Sequence, residues 1–175
     1  MPEEEQPLPK KYVRVHRKQG YQIFGNNTAA YKPCFYWKSA LTEQIFCYKY
    51  WFFGAPPSHR CVQWSPFIEC NESCPFCWRT HRTDLGLRVF RRKDLEKINW
   101  PEPTLLMDTL LDVYKGTLKG YNPEYREQTV SELWRDAMEN PPHLATSLTG
   151  EPLMYPYIGE LMEIAKHRDM TTFIV

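Results

Sequence analysis

Six cysteines are the residues of this chain best suited to chemistry, and all of them lie in the first 77 of its 175 residues. The N-terminal sequence MPEEEQ is acidic and polar and does not resemble a secretory signal. No apolar run approaches the roughly 18 residues of a membrane helix. We therefore expect a cytoplasmic protein without a membrane partner, whose cysteines stay reduced and bind metal in preference to forming three disulfides.

The last three cysteines form a C-x3-C-x2-C motif of Cys70, Cys74 and Cys77. Pro75 prevents a regular helix through the motif, and the residues of a strand would point to alternate faces. The motif therefore predicts a tight loop around a compact group. Three thiolates on a four-iron cluster leave one iron open for substrate. A zinc site that adds His81 to the three cysteines is the competing interpretation, and spacing alone does not separate the two.

Short apolar segments predict the elements that position this loop. Strands are expected at residues 62–69, 143–148 and 170–175, and helices at 104–118, from 122 to about 140, and from 156. The order strand, helices, strand, helix, strand requires parallel strands with right-handed crossovers. The sequence therefore predicts an α/β fold, an incomplete (β/α) barrel over residues 62–175, preceded by an irregular cysteine-bearing extension over residues 1–61.

A second motif, Gly150-Glu151-Pro152, follows the second predicted strand as the cysteine loop follows the first. Loops at the C-terminal edge of parallel strands build binding sites, so we expect the two to be neighbours. Gly150 permits close backbone approach or a positive φ, and Glu151 offers an acceptor for an ammonium group. Alone, the motif is typical of a helix-entry turn.

The net charge of +1 conceals a strong asymmetry. Residues 1–97 hold 16 Lys and Arg against 9 Asp and Glu, whereas residues 98–175 hold 6 against 12. A basic half on a neutral protein indicates either a local surface for a polyanion or a solvated face. The candidate phosphate contacts are Lys10, Lys11, Arg14, Arg17, Lys18, Arg88, Arg91, Arg92 and Lys93.

The pairing of the C-x3-C-x2-C motif with Gly150-Glu151-Pro152 resembles the radical S-adenosylmethionine (SAM) enzymes. The segments KQGYQIFGNN, KPCFYWKSAL, CYKYWFFGAPPSHRC, CPFCWR and SLTGEPLMYP narrow the resemblance to the archaeal-type 4-demethylwyosine synthase family of tRNA-modifying enzymes. The resemblance implies a radical-SAM-type barrel whose C-terminal strands are absent from this chain. We accordingly expect a longer parent to be the enzyme, and this chain alone to turn over poorly.

The resemblance also implies two [4Fe-4S] clusters and SAM as cofactors. It assigns the SAM-binding cluster to Cys70, Cys74 and Cys77, and the second cluster to Cys34, Cys47 and Cys61. Contacts to SAM are implied at Phe76, Thr149, Gly150 and Glu151. Lys49 is implied as the lysine that condenses with or contacts pyruvate, with Lys38 as a weaker candidate.

The implied reaction is a lyase-type condensation in wybutosine biosynthesis. It joins pyruvate to the N1-methylguanosine beside the anticodon of phenylalanine tRNA and forms 4-demethylwyosine, with electrons from an external flavodoxin- or ferredoxin-like protein. Two other functions remain open. A zinc-binding RNA-binding module would use the cysteines and the basic residues but not Glu151, and a non-catalytic iron–sulfur electron-transfer protein would hold clusters without cleaving SAM.

Overall fold

A computed structural model describes residues 8–49, 58–72 and 74–175. Within these ranges five strands form one sheet in chain order. They are β1 Gln22–Phe24, β2 Ala29–Tyr31, β3 Cys61–Ser65, β4 His143–Thr146 and β5 Thr171–Ile174. The strands β3, β4 and β5 are parallel, as predicted, whereas β1 and β2 form an antiparallel hairpin that joins β3 in antiparallel orientation.

Helices connect the parallel strands on one face of the sheet. The helices of the described ranges are α1 Lys10–Lys18, α2 Phe35–Glu43, α3 Pro103–Lys119, α4 Ser131–Glu139 and α5 Ile158–His167. Between β3 and β4 the chain forms α3 and α4, and between β4 and β5 it forms α5. No helix in the described ranges is long and apolar enough to cross a membrane.

The main core lies between α3 and the sheet. Leu110 and Tyr114 of α3 pack with Val62 and Trp64 of β3, and all four side chains are almost fully buried. Because successive strand residues point to opposite faces, Cys61 of the same strand lies on the side away from this core. One strand therefore both builds the core and presents a candidate ligand.

The helix predicted at 104–118 is confirmed as α3, and its start has a clear cause. Glu102 precedes the helix, and its carboxylate accepts hydrogen bonds from the N–H groups of Thr104 and Leu105 at 2.9 and 2.7 Å. Pro103 occupies the first helical position, where its missing N–H costs nothing.

The predicted helix start at residue 122 is wrong, because α4 begins at Ser131. The side-chain oxygen of Asn122 accepts a hydrogen bond from the N–H of Glu124 at 3.0 Å, which stabilises a turn in competition with a helix. The chain then crosses to α2, where the Val130 N–H donates to the carbonyl of Leu41 at 2.8 Å. Tertiary contact therefore delays the helix by two turns.

The prediction of an irregular N-terminal extension is also wrong over residues 10–43, which form two helices and the β1–β2 hairpin. Gly25, Asn26 and Asn27 turn the hairpin with positive φ angles of 55°, 57° and 65°. The strands have three residues each and the two helices nine, so no periodic pattern is long enough to reveal them. The predicted turn at residues 54–57 lies outside the described residues.

Helix α1 covers the face of the sheet opposite to α3. Tyr12 and Val13 pack with Ala30 of β2 and with Ile68 and Leu148, which follow β3 and β4. The opposite side of α1 carries only exposed basic residues, Lys10, Lys11, Arg14, Arg17 and Lys18. The helix therefore joins a buried contact near the predicted loops to a basic surface.

Asp94 anchors the segment that leads from the cysteine loop to α3. Arg88 donates two hydrogen bonds to its buried carboxylate, at 2.6 and 2.7 Å, and the N–H of Arg91 donates a third at 2.8 Å. The hydrogen bonds from Arg88 contribute most to lowering the pKa of Asp94 to about 2. Arg88 therefore forms an ion pair with Asp94, and we remove Arg88 from the predicted phosphate contacts.

Replacing Asp94 by Asn tests this anchor. The folded state lowers the pKa of Asp94 below its unfolded value of about 4, so the carboxylate stabilises the fold above that pH and stops doing so as the pH falls through 2. We expect Asp94→Asn to lower the free energy of unfolding at pH 7 by on the order of 1–2 kcal/mol, after allowance for solvent screening at the partly exposed Arg88. The difference from wild type should close near pH 2.

Urea unfolding between pH 7 and pH 2 measures this difference. The matched control is Asp108→Asn, because Asp108 pairs with Arg168 at the surface, where both side chains are substantially exposed. Such a pair contributes about 0–1 kcal/mol. Equal losses for the two variants at pH 7 would contradict the role given to Asp94.

Candidate functional site

The two predicted loops meet through their backbones at the C-terminal edge of β3 and β4. The N–H of Glu151 donates to the carbonyl of Glu69 at 2.8 Å. Gly150 has a φ of +67°, and a Cβ atom there would stand 2.6 Å from the carbonyl carbon of Ile68 and 2.7 Å from the oxygen of Glu69. Only glycine fits this contact. The predicted proximity of the cysteine loop and the turn is therefore confirmed.

A cavity of about 90 Å³ lies where the loops meet, and Cys70, Cys77, Thr149 and Gly150 line it. Burial raises the pKa of the Cys70 thiol, while the N–H of Glu72, 3.3 Å from its sulfur, acts in the opposite direction. The nearby Glu151 carboxylate and Cys74 thiol also raise the pKa of Cys70. Neither Glu151 nor Cys74 is part of the cavity lining, but the backbone of Glu151 is bonded to Glu69, next to Cys70.

Glu151 and Phe76, two of the predicted SAM-site residues, differ in their surroundings. One Glu151 oxygen accepts a hydrogen bond from the Leu153 N–H at 3.0 Å and caps a short 3₁₀ turn, Pro152–Met154, so the helix-entry interpretation of the motif is also correct. Phe76 is 84% exposed and does not line the cavity. The structure thus brings Thr149, Gly150 and Glu151 to the cysteine loop but leaves Phe76 projecting from it.

Buried polar contacts close the base of the cysteine loop. The guanidinium of Arg82 donates to the Glu69 carboxylate at 2.7 Å, with only 3% and 2% of the two side chains exposed. The Tyr12 hydroxyl donates to the carbonyls of Ile68 at 3.1 Å and Thr80 at 3.4 Å. Sequence reasoning missed these contacts. The signal was available, because a carboxylate directly after an apolar strand must be paired when it is buried.

The three upstream cysteines come together around a second, smaller cavity. Cys34, Cys47, Cys61 and Lys49 all line a space of about 20 Å³. Cys34 precedes α2, and its sulfur accepts a hydrogen bond from the Trp37 N–H at 3.3 Å. The remaining lining residues are Tyr36, Trp37 and Ser58, so no carboxylate takes part in this lining.

Apart from the three thiols, the ionisable side chains among the described residues that line this second cavity are Lys49, which is positively charged, and Tyr36. Burial raises the pKa of Cys34, and it raises that of Cys61 to about 12. Lys49 lowers the pKa of both thiols. The Lys49 ammonium donates to the Ser147 hydroxyl at 3.4 Å and stands 5.8 Å from the centre of the Phe173 ring. Lys38, the weaker candidate, is exposed on α2 and is not part of this lining.

The spacing of the cysteine side chains can be compared with what a single zinc ion and a four-iron cluster each require. Within the ranges the structure describes, no three His, Cys, Asp or Glu side chains converge closely enough to hold one metal ion. A zinc site of Cys70, Cys74, Cys77 and His81 would bring all four donors to one ion, so zinc binding would need these side chains to move together. The ligands of a cubane cluster bind different iron atoms and therefore stand further apart. Three thiols grouped on one loop, and three around one cavity, are donor sets that fit iron–sulfur clusters.

Three glycine variants test the contact between the loops. Gly150→Ala combines a positive φ with a clash against backbone atoms that cannot rotate away. Gly86 has a φ of +68° but open space around it, and Gly116 lies in α3 with neither restriction. We expect Gly86→Ala to cost about 1 kcal/mol of unfolding free energy and Gly116→Ala to add about 0.5–1 kcal/mol. Gly150→Ala should cost several times more than Gly86→Ala.

Chemical denaturation of the three variants measures these differences. Because Gly86→Ala isolates the strain of the left-handed backbone, the excess loss in Gly150→Ala reports the close approach itself. Equal losses at positions 86 and 150 would show that the loops are not packed backbone against backbone.

Comparison with known proteins finds relatives named as tRNA 4-demethylwyosine synthases. It is 37% identical to the SAM-dependent tRNA 4-demethylwyosine synthase of Pyrococcus horikoshii over 96% of this chain and 46% of the relative. It is 35% identical to the synthase of Methanocaldococcus jannaschii over 96% of this chain and 52% of the relative. No model of a known protein family matches the chain.

Solved structures agree with these relatives. A structure of TYW1 with a lysine–pyruvate adduct bound superposes with a TM-score of 0.77 at 31% identity, covering 95% of this chain and 50% of that one. A crystal structure of archaeal TYW1 gives a TM-score of 0.70 at 29% identity, covering 95% and 51%. The chain spans about half the length of the archaeal relatives it matches. Over almost its whole length, the chain is similar to about half of each of these SAM-dependent tRNA 4-demethylwyosine synthases.

Proposed function

We propose that this chain contributes the SAM-binding and pyruvate-binding centres of a tRNA 4-demethylwyosine synthase. The observation that carries the proposal is the grouping of the cysteines into two trios, one beside Gly150 and Glu151 and one around Lys49. The relatives are named as SAM-dependent synthases that act on tRNA, and the TYW1 structure is described with a lysine–pyruvate adduct. The first centre corresponds to the SAM dependence of the relatives, and the second centre, with its lysine, corresponds to the lysine–pyruvate adduct.

The first centre binds SAM at the loops after β3 and β4. Cys70, Cys74 and Cys77 would hold a [4Fe-4S] cluster, which would supply the electron for the reductive cleavage of SAM. The Glu151 carboxylate accepts a hydrogen bond from the SAM ammonium group. Gly150 and Thr149 line the same cavity with small groups, and Phe76 projects from the loop as an exposed ring that can cover the adenine.

The second centre binds pyruvate beside Lys49. We assign its [4Fe-4S] ligands, Cys34, Cys47 and Cys61, to residues 1–61, and those of the first centre to residues 62–175. The Lys49 amine attacks the ketone carbon of pyruvate, the carbon–oxygen double bond breaks, water leaves and an imine forms. The imine holds the keto acid for attack by the radical formed on the methyl group of N1-methylguanosine in phenylalanine tRNA.

A basic groove supports tRNA as the substrate. The exposed side of α1 lines a groove of about 770 Å³ through Lys10, Lys11, Arg14 and Arg17. Arg91, Arg92 and Lys93 are also exposed. Such a surface supplies affinity and orientation through phosphates without selecting a base. An external flavodoxin- or ferredoxin-like protein supplies the electrons for SAM cleavage.

Iron analysis and SAM cleavage test the first centre. Anaerobically reconstituted chain should hold about eight iron and eight sulfide per molecule, and Cys34→Ala and Cys74→Ala should each lose about half. On reduction with SAM, the iron-loaded full-length parent and its Cys34→Ala variant should release 5′-deoxyadenosine, whereas its Cys74→Ala variant should release none. One or two zinc ions in place of iron would support the RNA-binding module. Clusters that never cleave SAM would support the electron-transfer protein.

Trapping of the imine tests the second centre. Pyruvate and cyanoborohydride should add one reduced pyruvate to the iron-loaded chain, with the modification at Lys49 in a peptide map. Lys49→Ala should abolish the adduct, and Lys38→Ala is the matched control because that lysine is exposed on α2 and should leave the yield unchanged. An adduct that persists in Lys49→Ala would assign the lysine elsewhere.

A further inference from the structure

Ser147 links the two centres. It follows β4 directly, and its N–H donates to the carbonyls of Trp64 and Ala145 at 3.1 and 3.0 Å, which fixes its backbone against β3. Its hydroxyl accepts the hydrogen bond from Lys49. Three residues further along the chain, Gly150 makes the close contact with the cysteine loop. One short segment therefore touches the pyruvate lysine at one end and the SAM turn at the other.

The environment of Lys49 makes this hydrogen bond the contact that orients its amine. In the part of the chain that the structure describes, Lys49 forms no ion pair with a carboxylate. The Phe173 ring attracts the charge at 5.8 Å but imposes little direction. Of these two neighbours, Ser147 makes the directional contact, a hydrogen bond at 3.4 Å.

A hydroxyl also suits the changes that the amine undergoes. An ammonium group only donates, a free amine also accepts, and an iminium keeps a single N–H. A serine hydroxyl can rotate to accept from or donate to each of these forms, whereas a carboxylate only accepts. The same partner can therefore hold the nitrogen before and after the condensation.

We propose that Ser147 is a positioning residue for Lys49. It holds the amine at the thiol-lined cavity for condensation with a 2-keto acid, and it fixes the distance between the resulting imine and the SAM turn. This inference rests on the proposed role of Lys49. It assigns Ser147 no contact with the metal and no part in SAM cleavage.

Two substitutions of Ser147 separate positioning from a purely structural role. The reporter is the rate of reductive trapping of pyruvate by the iron-loaded chain, measured over a range of pyruvate concentrations. Ser147→Ala should lower the maximal rate about tenfold, the order expected for losing one hydrogen bond to a charged group. The concentration for half-maximal rate should change little. Ser147→Thr keeps the hydroxyl and should restore most of the rate.

The control measurements identify which proposal fails. Ser131→Ala, at the exposed start of α4, should behave as wild type, and Ser147→Ala in the full-length parent should still release 5′-deoxyadenosine at the parent's rate. A normal trapping rate in Ser147→Ala overturns the inference and leaves the role of Lys49 intact. Parallel loss of trapping and SAM cleavage, without rescue by threonine, also overturns it, because the turn has then collapsed. Absence of any wild-type adduct overturns the proposed pyruvate site and this inference with it.

Discussion

The close approach of Gly150 to the backbone after β3 determines where the candidate groups of this chain lie. Parallel pairing from Cys61 with His143 to Trp64 with Thr146 aligns the ends of β3 and β4. The loops that leave those ends could still diverge, but the missing side chain at Gly150 lets them touch through their backbones. The hydrogen bond from Glu151 to Glu69 then fixes the acidic turn one residue from Cys70. Neither motif forms a site without the other.

The rest of the fold supplies rigidity around this contact. On one face of the sheet, α3 buries large aromatic and aliphatic side chains against β3 and β4. On the other face, α1 places Tyr12 at the base of the cysteine loop, where its hydroxyl binds carbonyls on both sides of the loop. The buried pair of Glu69 and Arg82 closes the same base. Removal of one partner from such a pair costs about 3–5 kcal/mol, so the loop ends are strongly constrained.

The sequence predicts those parts of the fold whose signals are local and long. The helix α3 has 17 residues and a capping Glu102, and the parallel strand order follows from the alternation of elements. The short elements α1, α2, β1 and β2 escape prediction because tertiary packing, rather than periodicity, decides them. Asn122 shows the opposite error, since its local turn chemistry resembles a helix start until the contact between Val130 and α2 is known.

The candidate site likewise contains residues with a local sequence signal and residues whose contacts depend on tertiary packing. The cysteine spacing and the Gly150-Glu151 turn carry their own signals, so the strand order predicts that they lie at one edge of the sheet, where Gly150 lets them touch. Glu69 carries a weak signal as a carboxylate after an apolar strand, whereas Arg82 and Ser147 carry no motif, and only the structure reveals their contacts. Arg82 is a basic residue in a segment rich in Lys and Arg, yet it is buried because Glu69 requires a partner.

The two trios of cysteines differ in their electrostatic surroundings, and the difference matches the ligands proposed for them. At the upstream trio, the positive charge of Lys49 favours ionised Cys34 and Cys61 and opposes the effect of burial. At the trio in the C-x3-C-x2-C motif, burial and the Glu151 carboxylate both disfavour ionised Cys70. A carboxylate beside a thiolate is unfavourable unless cations separate them. Iron bound to these sulfurs, together with the ammonium group of SAM, would supply such cations. The acidic turn therefore distinguishes this trio from the upstream trio around Lys49.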